Sequence, residues 1–227
     1  GVELAGELSD ALPKLYEENG LTRNSPLLTV VEAMPTILPG WDEKLANEIR
    51  RKLEKRGIKF FLDNAVVQAG TRSLEMKSGQ VLEPDLLIWT GGVRGDPSRG
   101  ESFEIMNSRI IIDEYCRAQN HSEVYVAGDS ACTINGGTGL PAPPNAHIAF
   151  VQANLVTDNI LATLKGGAMK KYTYRHPGEI VTLGRTDAVG FLFNIRFRGW
   201  PAKLMKKINH LWYLNSIGGL GFMFEYM

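Results

Sequence analysis

Cysteine is nearly absent from this chain of 227 residues. Its two thiols exclude a disulfide framework and a structural zinc cage of four thiolates. No metal cluster, activated nucleophile or catalytic triad stands out. No uncharged apolar run reaches the roughly eighteen residues of a membrane-crossing helix. An excess of one charge is missing too: 25 Lys/Arg balance 25 Asp/Glu, and no nucleic-acid partner is expected. Neither an initiating methionine nor a signal peptide opens the chain. The first residues, Gly1-Val-Glu-Leu-Ala-Gly-Glu-Leu8, read instead as the inside of a helix, which predicts a fragment. Tandem repeats and low-complexity tracts are also absent.

What is present suffices for a core. Hydrophobic residues make up 44% of the chain and charged ones 22%, which excludes intrinsic disorder. The neutral total hides an asymmetry. Residues 166–227 carry nine Lys/Arg against Glu179, Asp187 and Glu225, whereas residues 1–165 carry 16 basic and 22 acidic groups. An acidic body with a basic, aromatic tail suits a surface that meets anionic lipid.

Residues 2–19 pattern as a helix in which Pro13 should cause a kink or a break. Residues 27–33 form a short apolar run ending near Glu32, the pattern of a buried parallel strand. Asp42 opens a helix whose Leu45, Ile49 and Leu53 recur every fourth residue, and Gly57 closes it. Residues 58–69, 72–77 and 80–83 pattern as strands, and 85–90 as another buried strand stopped by Gly91-Gly92. This succession describes a Rossmann-like α/β dinucleotide-binding domain without its first strand. A boundary follows at 91–100. Strands are expected at about 109–113 and 123–128, then a Gly/Pro loop at 135–145 and a long helix over about 146–165. A β-rich piece (172–193) and the tail complete the chain.

Three places could carry chemistry. Gly1 followed by a helix, with Glu32 ending the next strand, fits the later half of a dinucleotide fingerprint. There the helix N-terminus faces a pyrophosphate and the acid accepts ribose hydroxyls, which favours NAD over NADP. A solvated acid at a strand end would look the same. In Val124-Tyr-Val-Ala-Gly-Asp129-Ser130-Ala131, Gly128 brings an aspartate to a turn before further amides. That geometry suits a flavin ribityl hydroxyl and a phosphate, or an ordinary strand-to-turn aspartate. Finally, Pro141-Ala-Pro-Pro-Asn145 leads into Ala146-His147-Ile148-Ala149-Phe150-Val151-Gln152, with Asn145 as the N-cap. His147 there is either a packing residue or a proton carrier.

Together these segments resemble the type II NADH:quinone oxidoreductases, single-subunit FAD flavoproteins with two dinucleotide-binding domains. The resemblance rests on the opening octapeptide, Val31-Glu-Ala-Met-Pro-Thr-Ile-Leu-Pro39, Trp89-Thr-Gly-Gly-Val-Arg-Gly95 and Val126-Ala-Gly-Asp-Ser-Ala131. The tail adds Tyr172-Thr-Tyr-Arg-His-Pro-Gly178, Leu183-Gly-Arg185 and Gly199-Trp200. It spans the whole chain but only the C-terminal part of the family's length. It implies a truncated NADH-binding domain (1–96), the C-terminal part of a split FAD-binding domain (97–168) and a small α+β membrane-associating region (169–227).

By that resemblance, Gly1 lies by the NADH pyrophosphate, Glu32 on the adenosine ribose and Glu3 near the nicotinamide pocket. Thr90, Gly91, Gly92 and Val93 run along the nicotinamide half. Gly128, Asp129, Ser130 and Ala131 hold the FAD ribityl chain and phosphate. The helix from Ala146 to Gln152 meets the flavin ring and the quinone head, with Glu3, His147 and Gln152 as the catalytic candidates. The family pattern there is Ala-Gln-x-Ala-x-Gln-Gln. His147 and Val151 replace its first two glutamines, which puts the acceptor site in question. The implied cofactors are FAD and NAD(H), the substrates NADH and a quinone, and the place the cytoplasmic face of the cell membrane.

In the tail, Trp200, Leu204, Ile208, Leu211 and Trp212 fall at three- and four-residue spacings beside Lys203, Lys206 and Lys207. They form an amphipathic interfacial helix. Packing on its own domain, or on a second copy in a homodimer, is the alternative. Sulfide:quinone oxidoreductases resemble this pattern as well but need redox-active cysteines, and Cys116 and Cys132 make no convincing pair. A non-catalytic nucleotide-binding module is the third alternative. The sheet gap at the absent first strand should be filled by an upstream piece or a partner chain.

Overall fold

Helix α2 (Glu43–Glu54) forms where Asp42 caps it, the carboxylate accepting the Leu45 amide at 3.0 Å. Leu45, Ile49 and Leu53 share one face and are fully buried. Around that face the computed structural model builds the first of two compact units. The structure describes residues 1–21, 27–92, 103–134, 139, 141–173, 178–193 and 195–225.

The first unit comprises residues 1–90 together with 177–227. Helix α1 (Val2–Glu18) runs through Pro13 without being split, and Gly1 is its N-cap. Strand β1 (Thr29–Val31) pairs in parallel with β2 (Lys59–Phe61). The expected strand 58–69 is thus two strands in two sheets, separated where Asp63 turns left-handed at φ 50°. Strands β3 (Val66–Ala69), β4 (Leu74–Met76) and β5 (Val81–Leu82) form the antiparallel meander.

The buried strand expected at 85–90 is not formed. Leu86 is 76% and Trp89 64% exposed. Apolar composition alone does not make a strand: the backbone needs a ladder, and among the described residues the parallel sheet holds only β1 and β2.

In the same unit β9 (Gly178–Thr182), β10 (Ala188–Leu192) and β11 (Ile195–Arg198) form an antiparallel sheet, followed by α4 (Trp200–Glu225). Val181, Leu183 and Val189 join Val2, Ala5, Leu45, Ile49 and Leu53 in one core. Polar struts fasten its edges. The Trp41 indole donates to Glu179, and its ring meets Phe191 edge-on at 5.3 Å between centroids. Lys52 pairs with Asp187 at 2.9 Å and Arg198 with Glu48 at 2.9 Å. Such partly exposed pairs contribute about 1 kcal/mol or less each, so the shared apolar core dominates.

Helix α4 bends at Gly219, where φ is 74°. Ala202 and Leu214 are its buried residues, while Trp200, Leu204, Ile208 and Trp212 make an exposed stripe four residues apart before the bend, and Leu220 and Phe224 are exposed beyond it. No described helix is long and apolar enough to cross a membrane.

The second unit covers residues 91–176. Strands β6 (Ile105–Met106), β7 (Arg109–Ile111) and β8 (Ala131–Cys132) form its sheet, with β7 and β8 parallel. Helix α3 (Ala146–Leu164) is capped by Asn145, whose side chain accepts the Ile148 amide at 2.8 Å. The strand expected at 123–128 is only a bridged segment. It meets residues 116–118 through Ala118 N–H to Val124 O and Val126 N–H to Cys116 O, and no described strand borders its other edge.

Candidate functional site

In the first unit the N-terminus of α1 and the stretch at 90 come together. A Cβ on Gly1 would stand 3.0 Å from the Thr90 side-chain Oγ1, a tight contact that the hydroxyl would have to yield to. Gly91 and Gly92 follow as exposed residues, Gly92 at φ 93°. Val93 lies outside the described residues. At the end of β1 the Glu32 carboxylate accepts the Met34 amide at 3.0 Å, which fixes the acid beside the strand terminus.

Glu3, one residue inside α1, is held by the C-terminal elements. Its Oε1 accepts the Thr182 amide at 2.9 Å and the Thr182 hydroxyl at 3.1 Å, and pairs with Lys206 of α4. Partial burial pushes the Glu3 carboxyl up, but the hydrogen bonds from Lys206 and Thr182 outweigh it. The group is held below the usual carboxylate range. Nothing in the sequence links Glu3 to Thr182 or to Lys206 of the tail, because partners 179 and 203 residues away leave no spacing signal.

In the second unit Gly128–Ser130 forms a single turn of 3-10 helix, entered by Gly128 at φ 69°. Asp129 and Ser130 are exposed on it. No hydrogen bond or ion pair engages the Asp129 carboxylate among the described residues, which leaves two acceptor oxygens beside a glycine turn. Those acceptors fit the hydroxyls of a ribityl chain. The Ala131 amide does not point at a ligand: it donates to Gly128 O.

The start of α3 divides into two faces. His147 is exposed and, with Ile148, Val151, Tyr172 and Thr173, lines a shallow cavity of about 140 Å³. Ala146 is exposed at the first helical position. Gln152 points the other way: it is 0% exposed, and both ends of its carboxamide are hydrogen-bonded within the protein. Tyr172 and Thr173 belong to the tail segment that carries part of the resemblance, but no spacing ties them to His147, since they follow α3 in an irregular stretch.

The cysteines form no redox pair. Both are buried and free. Burial, reinforced by the Asp113 charge, pushes the Cys116 thiol up to about 11, where it is a poor nucleophile at neutral pH. Among the described residues no cluster of His, Cys, Asp and Glu could hold a metal ion.

The model of the pyridine nucleotide-disulphide oxidoreductase family matches residues 1–153. Over 229 aligned residues the chain is 32% identical to type II NADH:quinone oxidoreductases from two Staphylococcus aureus strains, MSSA476 and NCTC 8325. The alignments cover 99% of this chain and 57% of those proteins, so the chain spans little more than half the length of the curated relatives it matches. Among solved structures, NDH2 from Plasmodium falciparum in complex with NADH superposes with a TM-score of 0.77 at 13% identity, over 99% of this chain and 62% of that one. An FAD-dependent pyridine nucleotide-disulphide oxidoreductase from Desulfovibrio vulgaris superposes with a TM-score of 0.57 at 22% identity, over 71% of this chain and 41% of that one. At those identities the likeness is one of fold.

Proposed function

The chain belongs to the pyridine nucleotide-disulphide oxidoreductase family, and on that premise we propose that it is the C-terminal portion of an FAD-dependent NADH:quinone oxidoreductase. One observation carries the reading most: alignment to type II NADH:quinone oxidoreductases runs through 99% of this chain. Its parts are proposed as a partial NADH-binding domain at 1–96, the C-terminal part of an FAD-binding domain at 97–168 and a membrane-contacting region at 169–227. By itself, at 57% of its relatives' length, the chain is proposed to be inactive.

FAD supplies the redox chemistry when bound, accepting a hydride and passing two electrons on. The chain's own residues bind and orient. Gly1 and the first amides of α1 face the NADH pyrophosphate, where the helix dipole favours the negative charge. Thr90, Gly91 and Gly92 run along the nicotinamide half, and Glu3 stands near that pocket as a fixed anion. Gly128 makes the turn from which Asp129 accepts ribityl hydroxyls and the Ser130 amide faces a phosphate. Ala146 and His147 open α3 towards the flavin ring and the quinone. His147 is the exposed proton carrier beside the acceptor cavity. A His147→Ala variant is expected to slow quinone reduction about 100-fold; an unchanged rate removes the role.

Glu32 sets the choice of nucleotide. Its carboxylate accepts ribose hydroxyls and repels a 2′-phosphate. The whole protein is expected to oxidise NADH with a soluble quinone at least about tenfold more efficiently than NADPH, the value of roughly 1.4 kcal/mol. Glu32→Gln should narrow that ratio. Equal use of both nucleotides by the unaltered protein contradicts the assignment.

The stripe of α4 gives the membrane contact at the cytoplasmic face. Trp200 and Trp212 sit at the interface while Lys203 and Lys207 meet anionic headgroups. Sedimentation with phosphatidylglycerol vesicles should fall about tenfold in a Trp200→Ala/Trp212→Ala variant, and further at high salt. Undiminished binding would place α4 against protein, as in a homodimer.

A further inference from the structure

We propose that Gln152 is a positioning residue: its buried carboxamide, bonded to the Gly128 amide and the Thr133 hydroxyl, locks the Gly128–Ser130 turn onto α3 and so aims Asp129. This rests on the assignment of Asp129 to the flavin's ribityl chain. It gives Gln152 a role away from the acceptor.

The geometry leaves the carboxamide one orientation. Gly128 N–H can only donate, so Oε1 must face it, and it does at 2.8 Å. Nε2 then points at Thr133 Oγ1, 2.7 Å away. Flipping the amide would set two donors against each other in a site without water access, an arrangement that costs about 1–3 kcal/mol per unmet group. Thr133 is itself buried and directly follows β8, so the bond spans from the sheet through α3 to the turn. Ala149 closes the contact from one turn earlier in α3, its Cβ lying 3.3 Å from where a Cβ on Gly128 would stand.

Successive residues on a helix point about 100° apart. Val151 therefore reaches the cavity beside His147, while Gln152 is driven inward to the turn. Adjacent positions serve different ends, acceptor on one side and flavin geometry on the other. The Gly128 amide, fixed in a left-handed conformation, would otherwise be free to reorient and carry Asp129 with it.

The test uses the whole protein with Gln152→Leu and Thr133→Val variants, read in three ways. In Gln152→Leu, amide hydrogen exchange at Gly128 should accelerate about a hundredfold, FAD affinity should drop about tenfold, and KM for a soluble quinone should stay within about twofold. Thr133→Val keeps the Gly128 acceptor and should shift both affinity and exchange in the same direction by less. It serves as the reporter if Gln152→Leu fails to fold. A raised quinone KM with FAD affinity and Gly128 protection unchanged would overturn the proposal and make Gln152 an acceptor contact. A uniform loss of protection, with no excess at Gly128, would overturn it as mere packing. Absence of flavin from the unaltered protein would sink the flavin assignment itself, and the exchange at Gly128 would still decide whether Gln152 holds the turn.

Discussion

Replacing Asp129 by alanine in the whole protein is expected to weaken FAD binding by about 10- to 100-fold. The carboxylate stands exposed on the Gly128 turn and spends no hydrogen bond on the protein among the described residues. A charge-assisted hydrogen bond to a ligand hydroxyl is worth about 1.5–3 kcal/mol, and each 1.4 kcal/mol is about tenfold in affinity. Asp129→Asn keeps one acceptor oxygen and should lose roughly a third of that free energy. Activity of either variant should return when FAD is added in excess, because the turn itself is held by Gln152 and Ala149 rather than by Asp129. Fluorescence titration of the apoprotein with FAD measures it. Unchanged affinity in Asp129→Ala would detach this turn from the flavin.

Gly6→Ala is the second large effect, and it acts on stability. A Cβ at Gly6 would stand 2.8 Å from the Gly184 amide nitrogen and 3.0 Å from the Leu183 backbone. These are backbone atoms of the turn between β9 and β10, and they cannot rotate away. Helix α1 would have to retreat from the C-terminal sheet, opening the core that Val2 and Ala5 share with Val181 and Leu183. Overpacking of this kind costs about 1–3 kcal/mol, which for a chain of this size lowers the melting temperature by roughly 2–10 °C. Gly221→Ala is the control, since a Cβ there meets nothing within 4 Å. Calorimetry showing equal melting for both variants would mean that α1 does not bear on the sheet so closely.

The same contact explains why part of the architecture was legible and part was not. Helix α2 could be drawn from sequence because its cap, its four-residue repeat and its closing glycine are all local. The β3–β5 meander and the Asn145 cap were local in the same sense. Residues 85–90 and 123–128 were apolar enough to suggest strands, but a strand exists only with a neighbour, and that information lies elsewhere in the chain or outside it. Glu3 was singled out from its resemblance to a family residue, whereas Thr182 and Lys206 enter only through folding. At the start of α3 the motif marked seven consecutive positions alike. The helix then turned Val151 to the cavity and Gln152 to the core, a distinction set by about 100° of rotation and not by residue type.

The proposed oxidation of NADH through a flavin by the whole protein is put to the test by its visible spectrum before and after anaerobic NADH. A flavin band should bleach on adding NADH and return on adding a quinone. A flavin band that ignores NADH, or bleaches only with sulfide, would contradict it.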